Sequence, residues 1–114
     1  ELYSPALHAL TGMEITPEEL YTAGERIVNV QKAFNSRLGL RREDDSVCYR
    51  WMNEPMTDGP GKGMKMADFL EQAKDEYYEY HGWDKATSLQ RREKLEELGL
   101  LDVIEVLERE GALV

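Results

Sequence analysis

Four stretches carry residue types that do chemistry in other proteins. Gly59-Pro60-Gly61-Lys62-Gly63 offers glycines, which let backbone N–H groups approach an anion, beside a lysine that adds charge. A P-loop requires G-x-x-x-x-G-K-[ST] between a strand and a helix, whereas here Gly63 follows Lys62 and no strand precedes it. The stretch therefore reads as an irregular turn. Cys48, the chain's single cysteine, would need a base or a positive environment to act as a thiolate. Its surroundings include Asp44 and Asp45, with only Arg50 as counterweight, so it reads as an inert packing cysteine. Glu43-Asp44-Asp45 gathers carboxylates as a cation site would, but an EF-hand wants oxygens at alternate positions and glycine at the sixth, where Tyr49 stands. Tyr77-Tyr78-Glu79-Tyr80-His81-Gly82-Trp83 could stack on bases, yet it is interleaved with Asp75, Glu76, Glu79 and Asp84, which favours core and interface packing. His81 suits a helix C-terminus, where the dipole favours a cation. His8 is remote from it in sequence, and one cysteine makes neither an internal disulfide nor a Cys-only metal set.

The elements that must position these residues are helical. Thr16-Pro17-Glu18-Glu19 combines an N-cap, a proline at the first helical position and the fourth member of a capping box. Leu20, Ala23, Ile27, Val30, Phe34 and Leu38 follow at the helical period as one apolar stripe expected to face inward, and Gly39 is placed to end the helix. Gly24 costs about 1 kcal/mol in mid-helix, which predicts a close approach by another backbone. From Leu40 to Ala67 the period disappears among Pro55, Gly59, Pro60, Gly61 and Gly63, leaving a long irregular connection. Connections beyond about 12–15 residues are uncommon unless they are functional or packed on a neighbour. A second helix is predicted from Asp68, paired with Glu71, to Gly82, with Leu70, Ala73, Tyr77 and Tyr80 inward. A third runs from Ser88 to Leu98 with Leu89, Leu95 and Leu98 inward and Gly99 as its stop. A fourth starts at Asp102 with Glu105 and ends before Gly111. The expectation is a compact all-α domain of about four to five helices, one domain over residues 1–114.

Charge and hydropathy exclude several classes. The net charge of −9 is spread as 7 basic against 10 acidic residues in 1–64 and 7 against 13 in 65–114, a surface that repels nucleic-acid backbones. The glutamate-rich C-terminal pair of helices is a poor fit to a DNA groove. The apolar runs are too short to span a membrane, and the first residues lack the basic and apolar regions of a signal peptide, so a cytoplasmic location is expected. A first residue of Glu1 in place of Met raises a processed chain, a trimmed one or an excised domain.

Read as an ordered series, the segments resemble the C-terminal end of the tungsten-containing aldehyde:ferredoxin oxidoreductases. Thr11-Gly12, Thr16 with Glu18-Glu19-Leu20, and Gly24 to Gly39 (GERIVNVQKAFNSRLG) resemble the family's long helix, which reads approximately GERIxNLxRxFNxREG. Arg42, Asp44-Asp45 and Arg50 resemble its RxDDxLPxRF connection. Glu54-Pro55-Met56, Gly59-Pro60 and Gly63 are similar to EPLPxGPxKG, and Asp75 to Asp84 (DEYYEYHGWD) to DEYYxLRGWD. Thr87, Glu93-Lys94-Leu95 and Glu97 to Leu100 resemble the closing segment. Three positions depart: Cys48 and Gln90 stand where the family has proline, and Ser88 where it has glycine.

The resemblance implies a division of labour. The parent oxidises aldehydes to carboxylic acids at a tungsten held by two pterin dithiolenes and passes electrons through a [4Fe-4S] cluster to ferredoxin. The family's D-x-x-G-[LI]-C motif is expected upstream of Glu1. No catalytic, cofactor-binding or metal-binding residue is carried over to this chain, and no cofactor is expected within it. Arg26, Asn35, Arg37, Asp44, Asp45 and Arg50 match motif positions and are candidate buried polar clamps. The expected partners are the parent's remaining domains, with ferredoxin for the parent and neither nucleic acid nor membrane. The alternative is a free-standing acidic helical interaction module; an autonomous small enzyme lacks a visible catalytic constellation.

Overall fold

The computed structural model describes residues 2–114, and these residues form an all-α chain. Six helices follow one another: α1 Tyr3–Thr11, α2 Pro17–Arg37, α3 Tyr49–Asn53, α4 Leu70–Tyr80, α5 Arg92–Glu97 and α6 Leu101–Arg109. Short 3-10 turns lie at Arg42–Asp44 and Met66–Asp68. The four helices expected from periodicity and caps are α2, α4, α5 and α6; α1 and the five-residue α3 occupy segments with no legible period.

Local chemistry explains where the helices begin and end. Thr16 Oγ1 accepts the Glu19 N–H at 3.2 Å while Glu19 Oε2 accepts the Thr16 N–H at 2.8 Å, completing the capping box that starts α2. At the other end, Leu40 N–H donates to the Asn35 carbonyl and Gly39 N–H to that of Ser36, the two bonds of a Schellman motif. The same pair of bonds closes α4 at Gly82, α5 at Gly99 and α6 at Gly111.

Two starts differ from expectation. Asp68 does not cap α4: its carboxylate accepts Lys65 N–H at 3.0 Å, within its own 3-10 turn, and α4 begins only at Leu70. The helix expected from Ser88 begins instead at Arg92. Ser88 has φ +62°, outside the helical region, and Gln90 is held in isolated bridges to Trp83 and Leu113.

The apolar core sits between α2, α5 and α6. Leu95, Leu98, Ile104 and Leu107 are buried there with Ala33, Leu89, Leu100 and Ala112, and Val103 and Leu113 pack on their margin. The chain end closes the cluster, with Val114 N–H on the Gln90 carbonyl at 3.0 Å and Arg92 N–H on the Val114 carbonyl at 2.9 Å.

The apolar faces of α2 and α4 do not point where their periodicity predicts. Within α2 the buried residues are Asn29, Lys32, Ala33 and Ser36, while Ile27, Val30, Phe34 and Leu38 are exposed, Phe34 by 62%. At 100° per residue the exposed stripe is centred about 155° from the buried face. Ala33 joins the apolar core, and the other buried residues of the helix are polar. In α4 the buried residue is Tyr78, and Tyr77 and Tyr80 lie exposed, because Glu71, Lys74 and Asp75 turn with Tyr78 toward Arg42. Gly24 also departs from expectation, since a Cβ there would meet nothing within 4 Å. The described molecule is a slab of 47 × 41 × 19 Å, about two helix diameters thick.

Candidate functional site

The polar side of α2 faces the segment between α4 and α5, and two buried hydrogen-bond clusters join them. Asn29 Oδ1 accepts Trp83 Nε1–H at 3.0 Å and Gln90 Nε2–H at 2.7 Å, and Gln90 Nε2 also donates to the Asn29 carbonyl at 2.9 Å. One asparagine thus fixes two residues more than fifty positions away. Gln90 Oε1 and Ser36 Oγ are buried without a protein partner.

One helical turn along, Lys32 Nζ donates to Ser88 Oγ at 2.8 Å and lies 3.7 Å from Asp45 Oδ2, over the ring of Trp83. Burial holds its pKa below the ordinary lysine value, opposed by the nearby Asp45 carboxylate. Tyr78 Oη donates to the same carboxylate, and desolvation together with that bond raises its pKa. Asp45 therefore ties α2 to α4 through a cation and a phenol.

Arg42 anchors α4 from the other side. Its guanidinium donates to Asp75 Oδ1 at 2.5 Å, to Glu71 Oε2 at 2.6 Å and to the Lys85 carbonyl at 2.6 Å, and stacks over Tyr78. The bonds to Glu71 and Asp75 raise the Arg42 pKa, and Arg42 in turn lowers that of Glu71. His81 closes the group: Nδ1 is 3.2 Å from Glu25 Oε2, and the ring stacks on Trp83.

The six candidate clamps occupy different surroundings. Asp45 lies in the junction just described. Arg26 donates to the Leu98 carbonyl at the end of α5. Asp44 accepts the Arg41 N–H at 2.8 Å, which shapes its own turn. Arg50 is exposed and pairs with Glu54 at 2.9 Å, apart from both aspartates. Asn35 and Arg37 are exposed on α2. Sequence reasoning missed Asn29, Lys32, Arg42 and Gln90 as clamps, although Trp83 and its neighbours signalled packing. A lysine in a helix gives no hint of burial until its partners, here Ser88 and Asp45, are known.

The other candidate chemistry takes plain form. In the glycine loop, Met56 N–H donates to the Met64 carbonyl at 3.0 Å, and Gly63, Lys62 and Met64 N–H groups donate to Met56, Gly59 and Gly61. These amides are spent on the turn and do not form a phosphate cradle. Cys48 is exposed at the start of α3, so the packing role expected of it is not the one it has here. A [4Fe-4S] cluster takes four thiolates, which one cysteine does not supply, and no three His, Cys, Asp or Glu side chains converge among the described residues. This donor set does not fit the cluster or a protein-ligated metal. No helix among the described residues is long and apolar enough to cross a membrane.

Comparison with known proteins gives the family. The family model described as "Aldehyde ferredoxin oxidoreductase, domains 2 & 3" matches residues 1–100. The tungsten-containing aldehyde ferredoxin oxidoreductase of Pyrococcus furiosus is 37% identical over 101 residues, 88% of this chain and 16% of that protein. That of Thermococcus kodakarensis is 34% identical over 103 residues, 90% of this chain and again 16% of the relative. The Pyrococcus horikoshii enzyme of the same name is 34% identical over 99 residues. The chain thus spans about one sixth of the length of the curated relatives it matches. With a matching family model over most of its length and the junction residues within the matched span, the chain belongs to the aldehyde ferredoxin oxidoreductase family.

Proposed function

We propose that this chain is the C-terminal helical part of a tungsten-containing aldehyde ferredoxin oxidoreductase, and that it serves as scaffold within that enzyme. The observation that supports this most is the pairing of a match to domains 2 and 3 with relatives about six times longer than the matched segment. On this reading the parent oxidises aldehydes to carboxylic acids and delivers electrons to ferredoxin in the cytoplasm. Its tungsten–pterin centre and [4Fe-4S] cluster are held by the remaining domains, and the helices described here pack beside those domains and help to wall the substrate path. The whole of residues 1–114 acts as one helical unit in that role.

The residues of this chain then contribute positioning. Asn29, Lys32, Asp45 and Arg42 lock α2 and α4 to the segment that carries Trp83 and Gln90. Arg26 and Asp44 act as clamps at the end of α5 and in the turn after α2, and the exposed Asn35, Arg37 and Arg50–Glu54 pair meet the remaining domains. The direct test is the nucleotide sequence upstream of the Glu1 codon. A D-x-x-G-[LI]-C motif in the same reading frame is expected; a start codon at that point would overturn the assignment.

A further inference from the structure

An amphipathic helix buries its apolar side unless something else covers it. α2 is turned the other way. Its buried face is Asn29, Lys32, Ala33 and Ser36, and the opposite face presents Ile27, Val30, Phe34 and Leu38, with Ile27 exposed by 59% and Phe34 by 62%. We propose that this outward stripe of α2 is the surface on which the remaining domains of the parent enzyme dock, and that its occupant is the apolar face of a helix. The proposal rests on the reading of the chain as part of a longer enzyme.

Four observations on different residues support it. No second layer of the described residues screens the outer side of α2, where Leu38 is exposed by 62%. Gly24 lies near the stripe, costs about 1 kcal/mol against alanine in a helix, and has no neighbour within 4 Å of where its Cβ would be. A helix tolerates that cost where a partner's backbone comes close, and this chain supplies none. An apolar groove of about 170 Å³ adjoins the stripe, lined by Val30 and Phe34 of α2 and by Val103, Val106 and Leu107 of α6. Finally, the relatives extend over about six times the matched length, which supplies an occupant in the same polypeptide. With both faces covered, α2 becomes a central helix of a larger bundle, which accounts for apolar residues on one side and the hydrogen-bonded Asn29 and Lys32 on the other.

The test uses the 114-residue chain co-expressed with the tagged polypeptide encoded upstream of Glu1. The unsubstituted chain is expected to co-purify with it; failure to do so overturns the parent-enzyme reading and the docking face with it. The double variant Val30→Asp, Phe34→Asp is expected to lower co-purification at least tenfold, while its thermal midpoint, measured on the chain alone, stays with that of the unsubstituted chain. Leu10→Asp, which charges a different exposed apolar position on α1, is expected to co-purify as before. Undiminished co-purification of the double variant overturns the docking face alone. So does a dimer of the isolated chain in light scattering that the double variant dissociates, since the occupant is then a second copy.

Discussion

Ser88 sets two local effects against each other. It is the one non-glycine among the described residues with positive φ, at +62°, and it stands where the family resemblance expects glycine. The left-handed backbone costs a residue with a Cβ about 1–2 kcal/mol. Its Oγ, however, receives a charge-assisted bond from buried Lys32, and such bonds contribute about 1.5–3 kcal/mol. The bond outweighs the strain, so Ser88→Gly is expected to lower stability by about 1 kcal/mol in a urea titration. Asp84 gives the pH dependence of the same segment. Its carboxylate accepts Thr87 N–H at 2.8 Å and Thr87 Oγ1–H at 2.7 Å, and these bonds lower its pKa. A carboxylate depressed on folding contributes stability that is present above its unfolded value, about 3.9, and lost as pH falls through the lower folded value. Unfolding followed from pH 6 to pH 2 should show that loss, and Asp84→Asn should flatten it. Neither residue was legible as a functional one. The departure at 88 was visible in the sequence, but its left-handed backbone and its lysine partner belong to the fold.

Helix by helix, the sequence announces C-terminal ends better than starts or faces. The capping box of α2 and the glycines at 39, 82, 99 and 111 are local chemistry, decided within six residues, and they stand where they were expected. Gly82 is the sharpest case, with φ +70° and a Cβ position 2.9 Å from Lys94 Cγ. Gly82→Ala is expected to lower stability by about 1–2 kcal/mol, read from the thermal midpoint. The orientation of α2 is a different matter. Periodicity says which residues share a side, and it assumes that the apolar side finds its cover within the chain. Here that cover lies elsewhere, and the inward anchors are Asn29 and Lys32, which no hydrophobic pattern marks. The contrast is measurable in the isolated chain. Leu107→Ala, fully buried in α6, should cost about 2–5 kcal/mol, whereas Phe34→Ser should change stability by no more than about 0.5 kcal/mol.

At the scale of the whole molecule, the all-α architecture and the family were legible, the first from periodicity and caps and the second from an ordered series of short motifs along the chain. What was not legible is how much of the surface is apolar. Trp51, Tyr49, Met56 and Met64 on the α3 side are exposed together with the α2 stripe. An exposed apolar surface of this extent marks an interaction surface. On the proposed reading the redox chemistry belongs to the rest of the enzyme. The most direct test is aldehyde-dependent reduction of a viologen dye, measured in parallel on the product of the complete reading frame and on the 114-residue chain. The account predicts turnover by the complete product and none by the chain alone. Turnover by the chain alone, or none by a complete product loaded with tungsten and iron, would contradict it.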